Sequence, residues 1–479
     1  MLEYRQFYID GAWVDPAEPN DCTVIDPSTE EPCAVISLGS QADTDAAVAA
    51  ARRAFPAWAA TPVETRIGYV EKVLEIYERR MDEMAEVISL EMGAPIDFSH
   101  KEQATAGSDN IADALASARK MSFEKAIDEN TPGARILMEP IGVVGMITPW
   151  NWPVSQVTLK VFPALIAGCT MVLKPSEFAP LDAVLIAEMI DEAGIPAGVF
   201  NLVNGDGAGV GSQLSAHPDV DMISFTGSTR AGKLISKAAA ETLKRVSLEL
   251  GGKGANIIFA DADENAVKRG VRKCFNNTGQ SCNAPTRMMV EASIYDQAVE
   301  IARETAEKTL VGNAHETGRH IGPLVSGIQY DRVQALIQKG IDDGARLVAG
   351  GTGRPEGFNR GFYVRPTVFA DVTNDMTIAR EEIFGPVLSI MKFETEDEAI
   401  EIANDTPYGL TNYLQTSDGA RRNRMARKLR SGMVEMNYQS RGAGSPFGGV
   451  KSSGRAREGG VWGIEEYLEV KSVSDWAAE

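Results

Sequence analysis

Residues 140–149, PIGVVGMITP, open the rhythm that decides the fold. This strand-like run leads into a helical stretch near 155–168. Strand-like TMVLKP (170–175) then precedes helical DAVLIAEMIDEAG (182–194), and VFNLVNG (199–205) precedes a short helix to about 216. MISFTG (222–227) leads into helical STRAGKLISKAAAE, and RVSLELGG (245–252) closes the series. Apolar runs of strand length alternating with helical segments predict a mostly parallel sheet covered on both faces. Ligands of such sheets sit at the carboxyl ends of the strands. The loops after Thr148, Lys174, Gly205 and Phe225 are therefore expected around one crevice.

A second α/β series begins near 254 with ANIIFAD and passes through ENAVKRGVRKCF, RMMVEAS and YDQAVEIARETAEK to SGMVEMN (431–437). Glycine-rich 249–254 reads as the junction of the two series. Ahead of both, FYIDGAW carries the turn pair Asp10-Gly11 of a hairpin. Helices are expected over 43–60 and 62–92, the second stopping at Gly93. The tail, YLEVKSVSDW, is strand-like and is expected to pair with another element.

A chain of 479 residues exceeds one simple domain. Its net charge of −20 argues against a nucleic-acid partner, which would want a basic surface. Five scattered cysteines do not form a disulfide framework and fit a reducing, cytoplasmic setting. The four histidines make no metal-binding spacing, so no metal site is expected. No window reaches the roughly 18 uninterrupted apolar residues of a membrane span, and MLEYRQFYIDG lacks the apolar core of a signal peptide.

Cys282 lies in CFNNTGQSCNAPTR (274–287) among small polar neighbours, which suits a nucleophile better than a packing residue. A thiol attacks as the thiolate and needs a lowered pKa or a nearby base. Glu249 ends an apolar strand, where burial would raise its pKa toward that of a general base; a salt-bridged Glu is the plain alternative. The Asn151 amide could donate to an oxyanion or simply hold a turn. Lys174 and Glu177 end a predicted parallel strand, where they could hold an adenosine ribose or stay solvated. A carboxylate there would repel a 2′-phosphate and so favour NAD over NADP. Gly227-Ser228-Thr229 fits a phosphate cradle and a plain N-cap equally well. GDGAGVG (205–211) fails the dinucleotide fingerprint, because its third glycine would fall on Val210.

Seven motifs together resemble the aldehyde dehydrogenase superfamily in order and over most of the chain. They are PWNWP (149–153), KPSE (174–177), FTGS (225–228), LELGGK (248–253), FNNTGQSC (275–282), EEIFGP (381–386) and SPFGGVKSSG (445–454). The likeness is to the hydrolytic branch. It implies an α/β fold of two Rossmann-like parallel-sheet domains with a small β-flap for oligomerisation. An NAD-binding domain (1–121 and 141–249), a catalytic domain (250–450), and a flap and tail (122–140 and 451–479) are expected. It implies a homodimer or homotetramer that oxidises a small aldehyde to a carboxylic acid with NAD. Cys282 would attack the carbonyl, Asn151 would hold the oxyanion, and Glu249 would activate the water that hydrolyses a thioester. Lys160 and Glu458 would relay the proton. Thr148, Pro149, Trp150, Lys174, Glu177, Gly227, Ser228, Glu382 and Phe384 would hold the cofactor. Trp152, Gln156, Leu159, Asn276, Ser281, Asn283 and Phe447 would line the substrate pocket. Gln156, Asn276, Ser281 and Asn283 are polar, so an aldehyde with a polar tail is expected over a plain alkanal. Acyl transfer to coenzyme A is the second enzymatic reading, and a binding protein without turnover the third. The carboxylate at 249 speaks against the former and the intact Cys282, Glu249 and Asn151 against the latter.

Overall fold

The structure is a computed structural model that describes residues 1–128, 130, 131 and 133–476. A seven-stranded sheet runs in the order Arg245–Leu250, Met222–Gly227, Val143–Ile147, Thr170–Lys174, Phe200–Leu202, Phe7–Ile9 and Ala12–Val14. The first five strands are parallel. The last two are the expected hairpin, added antiparallel at the edge. Its turn residues Asp10 (φ 54°) and Gly11 (φ 76°) are both left-handed, as a two-residue hairpin matched to strand twist requires.

Side-chain alternation explains why this sheet needs cover on both faces. Val144, Met146, Met171 and Leu173 enter one core with the helices Pro153–Ala167 and Leu181–Glu192. Val143, Ile147, Val172 and Ile223 enter the other with Gln41–Ala59, Val210–Ala216 and Thr229–Ala240. Each fully buried aliphatic side chain contributes about 1.5–3 kcal/mol, so a strand buried on both faces stabilises twice over.

The second sheet has the order Arg346–Ala349, Thr367–Ala370, Val387–Phe393, Arg287–Glu291, Ala255–Ile258, Thr411–Gln415 and Met433–Met436. Only its first strand is antiparallel to its neighbour. Residues 251–254 pass directly from the edge strand of the first sheet into this one.

The single helix expected over 62–92 is two, Val63–Arg79 and Met81–Met92. They break at Arg80 (φ −107°, ψ 14°), whose guanidinium binds Glu83 and Glu188. Apolar spacing continues across the break, so the pattern carried no trace of it. The tail strand Leu468–Val473 pairs antiparallel with Arg135–Pro140, which also pairs with Glu124–Ala126. The expected flap and tail include residues 129, 132 and 477–479, which lie outside the described residues. A further sheet of Leu2–Tyr4, Glu31–Ser37 and Asp21–Asp26 reaches across to the second half. Ser28 Oγ accepts from Ala314 N (3.0 Å), and Glu30 Oε1 accepts from Gly361 N (2.7 Å). Among the described residues no helix is long and apolar enough to cross a membrane.

Candidate active site

The helix Ala266–Phe275 delivers the chain to Cys282 through an unusual turn. Asn277 (φ 51°) and Thr278 (φ 56°) are both left-handed, a conformation that a β-branched residue adopts only when its surroundings impose it. Thr278 Oγ1 donates to Gly322 O (3.1 Å). Asn277 Nδ2 donates to Asn151 O (2.8 Å) and Gln280 O (3.1 Å). Gln103 Nε2 donates to Asn151 O and to Asn277 Oδ1, both at 3.1 Å. Gln280 in turn donates to Asn277 O and accepts from Val325 N (3.0 Å). Asn151 is therefore no plain turn residue. It is buried, and its Nδ2 donates to Gln280 O (3.0 Å), two residues before Cys282. An amide nitrogen carries two N–H groups, so one remains for another acceptor.

Cys282 is partly accessible. Desolvation pushes its thiol pKa up, and Glu382, Glu249 and Glu458 push in the same direction; the Asn283 backbone N–H opposes them. At neutral pH it is a thiol that needs a base. Glu249, at the buried end of Arg245–Leu250, has no hydrogen-bond partner on either oxygen among the described residues. The salt-bridged alternative thus fails. Burial, then Glu458, raise its carboxyl well above the ordinary range, with Lys160 and Arg457 opposing. Gly448 (φ 153°) makes room for it: a Cβ there would come within 2.7 Å of Glu249 Oε1.

Lys160 and Glu458 form a buried ion pair. Lys160 Nζ also donates to Thr226 Oγ1 (2.7 Å), and Thr226 is the strand neighbour of Glu249. Glu458 is fixed by reciprocal backbone bonds with Phe447 (2.7 and 2.8 Å). Its Oε2 has no partner among the described residues.

The parallel strands of the first sheet end together at Thr148, Lys174 and Gly227, beside Glu249. Thr148 N donates to Lys174 O (3.1 Å). Pro149 follows, and Trp150 meets the Phe384 ring edge-on at 5.4 Å. Lys174 Nζ is buried, not solvated, and lies 3.5 Å from Glu177 Oε2. Ser228 caps Thr229–Ala240, accepting from Ala231 N (3.2 Å), which is the plain reading of that serine. Glu382 accepts from Gly252 N (2.8 Å), and burial raises its carboxyl pKa to about 7. Phe384 is left-handed (φ 61°), held by Gln329 Nε2 donating to its carbonyl (2.9 Å). GDGAGVG is a turn in which Gly209 N donates to Asp206 Oδ1 (2.5 Å).

On the far side of Cys282, Trp152 Nε1 donates to Ser281 Oγ (2.9 Å), and its ring meets Phe98 edge-on at 5.7 Å. Gln156 is buried with an unpaired Oε1 among the described residues, and Leu159 is half-buried on the same helix. Asn276 is exposed at the helix end. Asn283 O accepts from Tyr413 Oη (2.6 Å). Phe447 lies 5.6 Å from the Arg441 guanidinium.

Gln103, Asn277, Gln280, Gln329 and Lys253 carried no reading from the sequence. Lys253 is buried with no hydrogen-bond partner for Nζ among the described residues, and burial lowers its pKa to about 7. Its only signal was its place in LELGGK. Asn277 and Gln280 likewise had only their place in FNNTGQSC, and Gln103 and Gln329 had no signal, since a polar residue shows its burial only in the fold. Among the described residues no group of three or more His, Cys, Asp or Glu could hold a metal ion.

Fold and site together define an α/β protein with a cysteine, a buried carboxylate and an anchored amide gathered near the carboxyl ends of parallel strands. The aldehyde dehydrogenase family model matches residues 13–473. The chain is 51% identical over 475 residues, 99% of each chain, to a 3-succinoylsemialdehyde-pyridine dehydrogenase of a Pseudomonas species. An aldehyde dehydrogenase from Bartonella henselae superposes with a TM-score of 0.99 at 63% identity, over 99% of this chain and 100% of that one. A cysteine-to-alanine variant of aldehyde dehydrogenase C from Pseudomonas syringae, in complex with NAD+ and octanal, superposes with a TM-score of 0.97. It is 48% identical, over 99% and 97% of the two chains. The chain belongs to the aldehyde dehydrogenase family and is an oxidoreductase.

Proposed function

We propose that the protein oxidises an aldehyde to a carboxylic acid with NAD through a covalent adduct on Cys282. The observation that carries this reading is Glu249, a buried carboxylate with both oxygens unpaired among the described residues, three residues before Gly252, on which the Cys282 carbonyl packs so closely that a Cβ would come within 2.3 Å of it. Cys282 Sγ gives its proton to solvent water, the thiolate bonds to the aldehyde carbon, and the new oxyanion accepts from the free Asn151 N–H and the Cys282 backbone N–H. The chemistry that NAD supplies when bound is hydride acceptance, which leaves a thioester on Cys282. Glu249 takes a proton from the attacking water, the S–C bond breaks, and the acid departs. The Lys160–Glu458 pair carries that proton away.

The residues fit NAD. Lys174 Nζ, buried with a single ion-pair partner, keeps donors for ribose hydroxyls, and Glu177 accepts from them while repelling a 2′-phosphate. Thr148, Pro149, Trp150, Gly227 and Ser228 border that crevice, and Glu382 and Phe384 take the nicotinamide side. Residues 1–121 and 141–249, which hold nearly all of the first sheet, are the NAD-binding unit, and 250–450 the catalytic one. The flap and tail, 122–140 and 451–479, join copies into a dimer or tetramer. Five unpaired cysteines suit the cytoplasm.

Trp152, Gln156, Leu159, Asn276, Ser281, Asn283 and Phe447 line the aldehyde pocket. The unpaired Gln156 Oε1 supports a substrate with a polar tail, and the name of the Pseudomonas relative, a pyridine-bearing semialdehyde dehydrogenase, points the same way. The octanal complex favours a plain alkanal. Catalytic efficiency with a polar aldehyde is expected to exceed that with hexanal by roughly tenfold, about 1.4 kcal/mol; a preference for hexanal defeats the polar-tail reading. NADH formation without coenzyme A is expected to fall by roughly 10⁴-fold or more in Cys282→Ala. Turnover that survives that change, or that requires coenzyme A, overturns the hydrolytic mechanism.

A further inference from the structure

Beside Phe447 two cations share one carboxylate. Arg441 places its guanidinium 5.6 Å from the Phe447 ring centre and donates through NH1 to Pro446 O (2.9 Å). Its Nε lies 3.3 Å from Glu435 Oε1. The other oxygen of Glu435 is taken by Lys273 Nζ at 2.5 Å. Lys273 also sits 4.4 Å over the Tyr413 ring, whose hydroxyl donates to the carbonyl of Asn283, the residue after Cys282. One carboxylate thus serves two cations, and the trio Lys273, Glu435 and Arg441 by itself carries one net positive charge. Lys273 and Arg441 stay partly accessible, with side chains 34% and 27% exposed, while Glu435 is largely buried at 11%. The buried member is the anion, and the groups open to an incoming molecule are the cations. Asp113, beside the same loop, accepts from Gly460 N (2.8 Å).

A guanidinium presents five N–H donors in a planar fork. Arg441 spends two directions, on Glu435 and Pro446, so donors remain for an incoming oxygen pair. An ion pair at partial exposure is weakly screened compared with one in open water. A cation already present over Phe447 also disfavours a second one, such as a quaternary ammonium tail. We propose that this cluster selects aldehydes whose far end carries a carboxylate, with Arg441 as the specificity-determining residue. The inference rests on the reading of Cys282 as nucleophile and of Phe447 and Asn283 as pocket residues, and it names the tail that the polar pocket accepts.

The test compares succinic, glutaric and adipic semialdehydes with butanal, pentanal and hexanal, reading kcat/KM by NADH formation. A charge-assisted hydrogen bond contributes about 1.5–3 kcal/mol, so the acidic member of the best pair is expected to be favoured by roughly 10- to 100-fold. In Arg441→Gln that ratio is expected to fall toward one, with Arg441→Lys intermediate. Glu435→Gln, which removes the competing anion, is expected to move the ratio the other way. The melting temperature and NAD affinity of each variant establish that it is folded. Brisk turnover of every aldehyde with a ratio near one, or a ratio unmoved by Arg441→Gln in folded protein, overturns this inference and leaves the parent reading standing. No turnover of any aldehyde by folded, NAD-binding wild type overturns both.

Discussion

A carboxylate held away from water with no hydrogen bond is expensive, costing about 1–3 kcal/mol or more for a charged group. Glu249 is such a group, and Gly448 leaves it the space. Its raised pKa turns that cost into basicity. In Glu249→Gln, steady-state turnover is expected to fall by roughly 10²–10⁴-fold. A first burst of about one NADH per active site should survive, because the thioester still forms. A missing burst would move Glu249 to the thiol-activating step. Only ionised Glu249 accepts a proton, so wild-type turnover is expected to climb as pH rises through its elevated pKa, and the pH–rate profile of the glutamine variant should lack that limb. The placement of these residues was partly legible beforehand. Cys282 stood out by its polar neighbours and Glu249 by ending an apolar strand. The Lys160–Glu458 pair did not stand out, for the two lie 298 residues apart and nothing local marks either as buried. Family resemblance alone pointed to them.

At the scale of single elements, the helix Leu181–Glu192 is capped from outside itself. Glu91 accepts from the N–H groups of Leu181 (2.6 Å) and Asp182 (3.1 Å), which a helix start would otherwise leave unpaired. Asp182 is buried against that carboxylate, and burial raises its pKa to about 8. Glu91 is raised as well, by burial first and by Asp182 second. Folded chains therefore hold protons that unfolded chains release. Stability from this pair is fully present below the ordinary carboxylate range and is lost as pH rises to about 8. The melting temperature is expected to drop by a few degrees, on the order of 1–2 kcal/mol, between about pH 6 and about pH 9. Asp182→Asn should flatten that slope, and an unchanged slope would remove the pair as its source. Strand and helix periodicity announced most elements from 140 onward. It announced neither the break at Arg80 nor the helix Thr105–Ala118, TAGSDNIADALASA, whose alanines, serines and glycine give little apolar contrast. The left-handed Asn277 and Thr278 were equally hidden, since tertiary hydrogen bonds set them against local preference.

Across the whole molecule, each of the four sheets of the described residues ends in two edge strands. Leu468–Val473 pairs on one side only, as does Met433–Met436. Val470 is 66% exposed on the first of these, and Leu243, left-handed at φ 55° and 91% exposed, lies just before Arg245, whose NH1 donates to Leu468 O (2.9 Å). Open edges with apolar side chains invite pairing with another copy. Sedimentation is expected to show an oligomer that Val470→Asp shifts toward the protomer by roughly tenfold or more in association constant; a wild-type monomer would refute the flap-and-tail assembly. The pairing of distant segments has a further consequence, for synthesis. Glu30 waits for Arg354 and Gly361, 324 and 331 residues downstream. At about 5–20 residues per second, that is on the order of 20–60 s during which the N-terminal strands have left the ribosome without their partners. Lys160 waits nearly as long for Glu458. A nascent chain thus carries the Cys282 thiol before the buried Lys160–Glu458 pair can close around the same site.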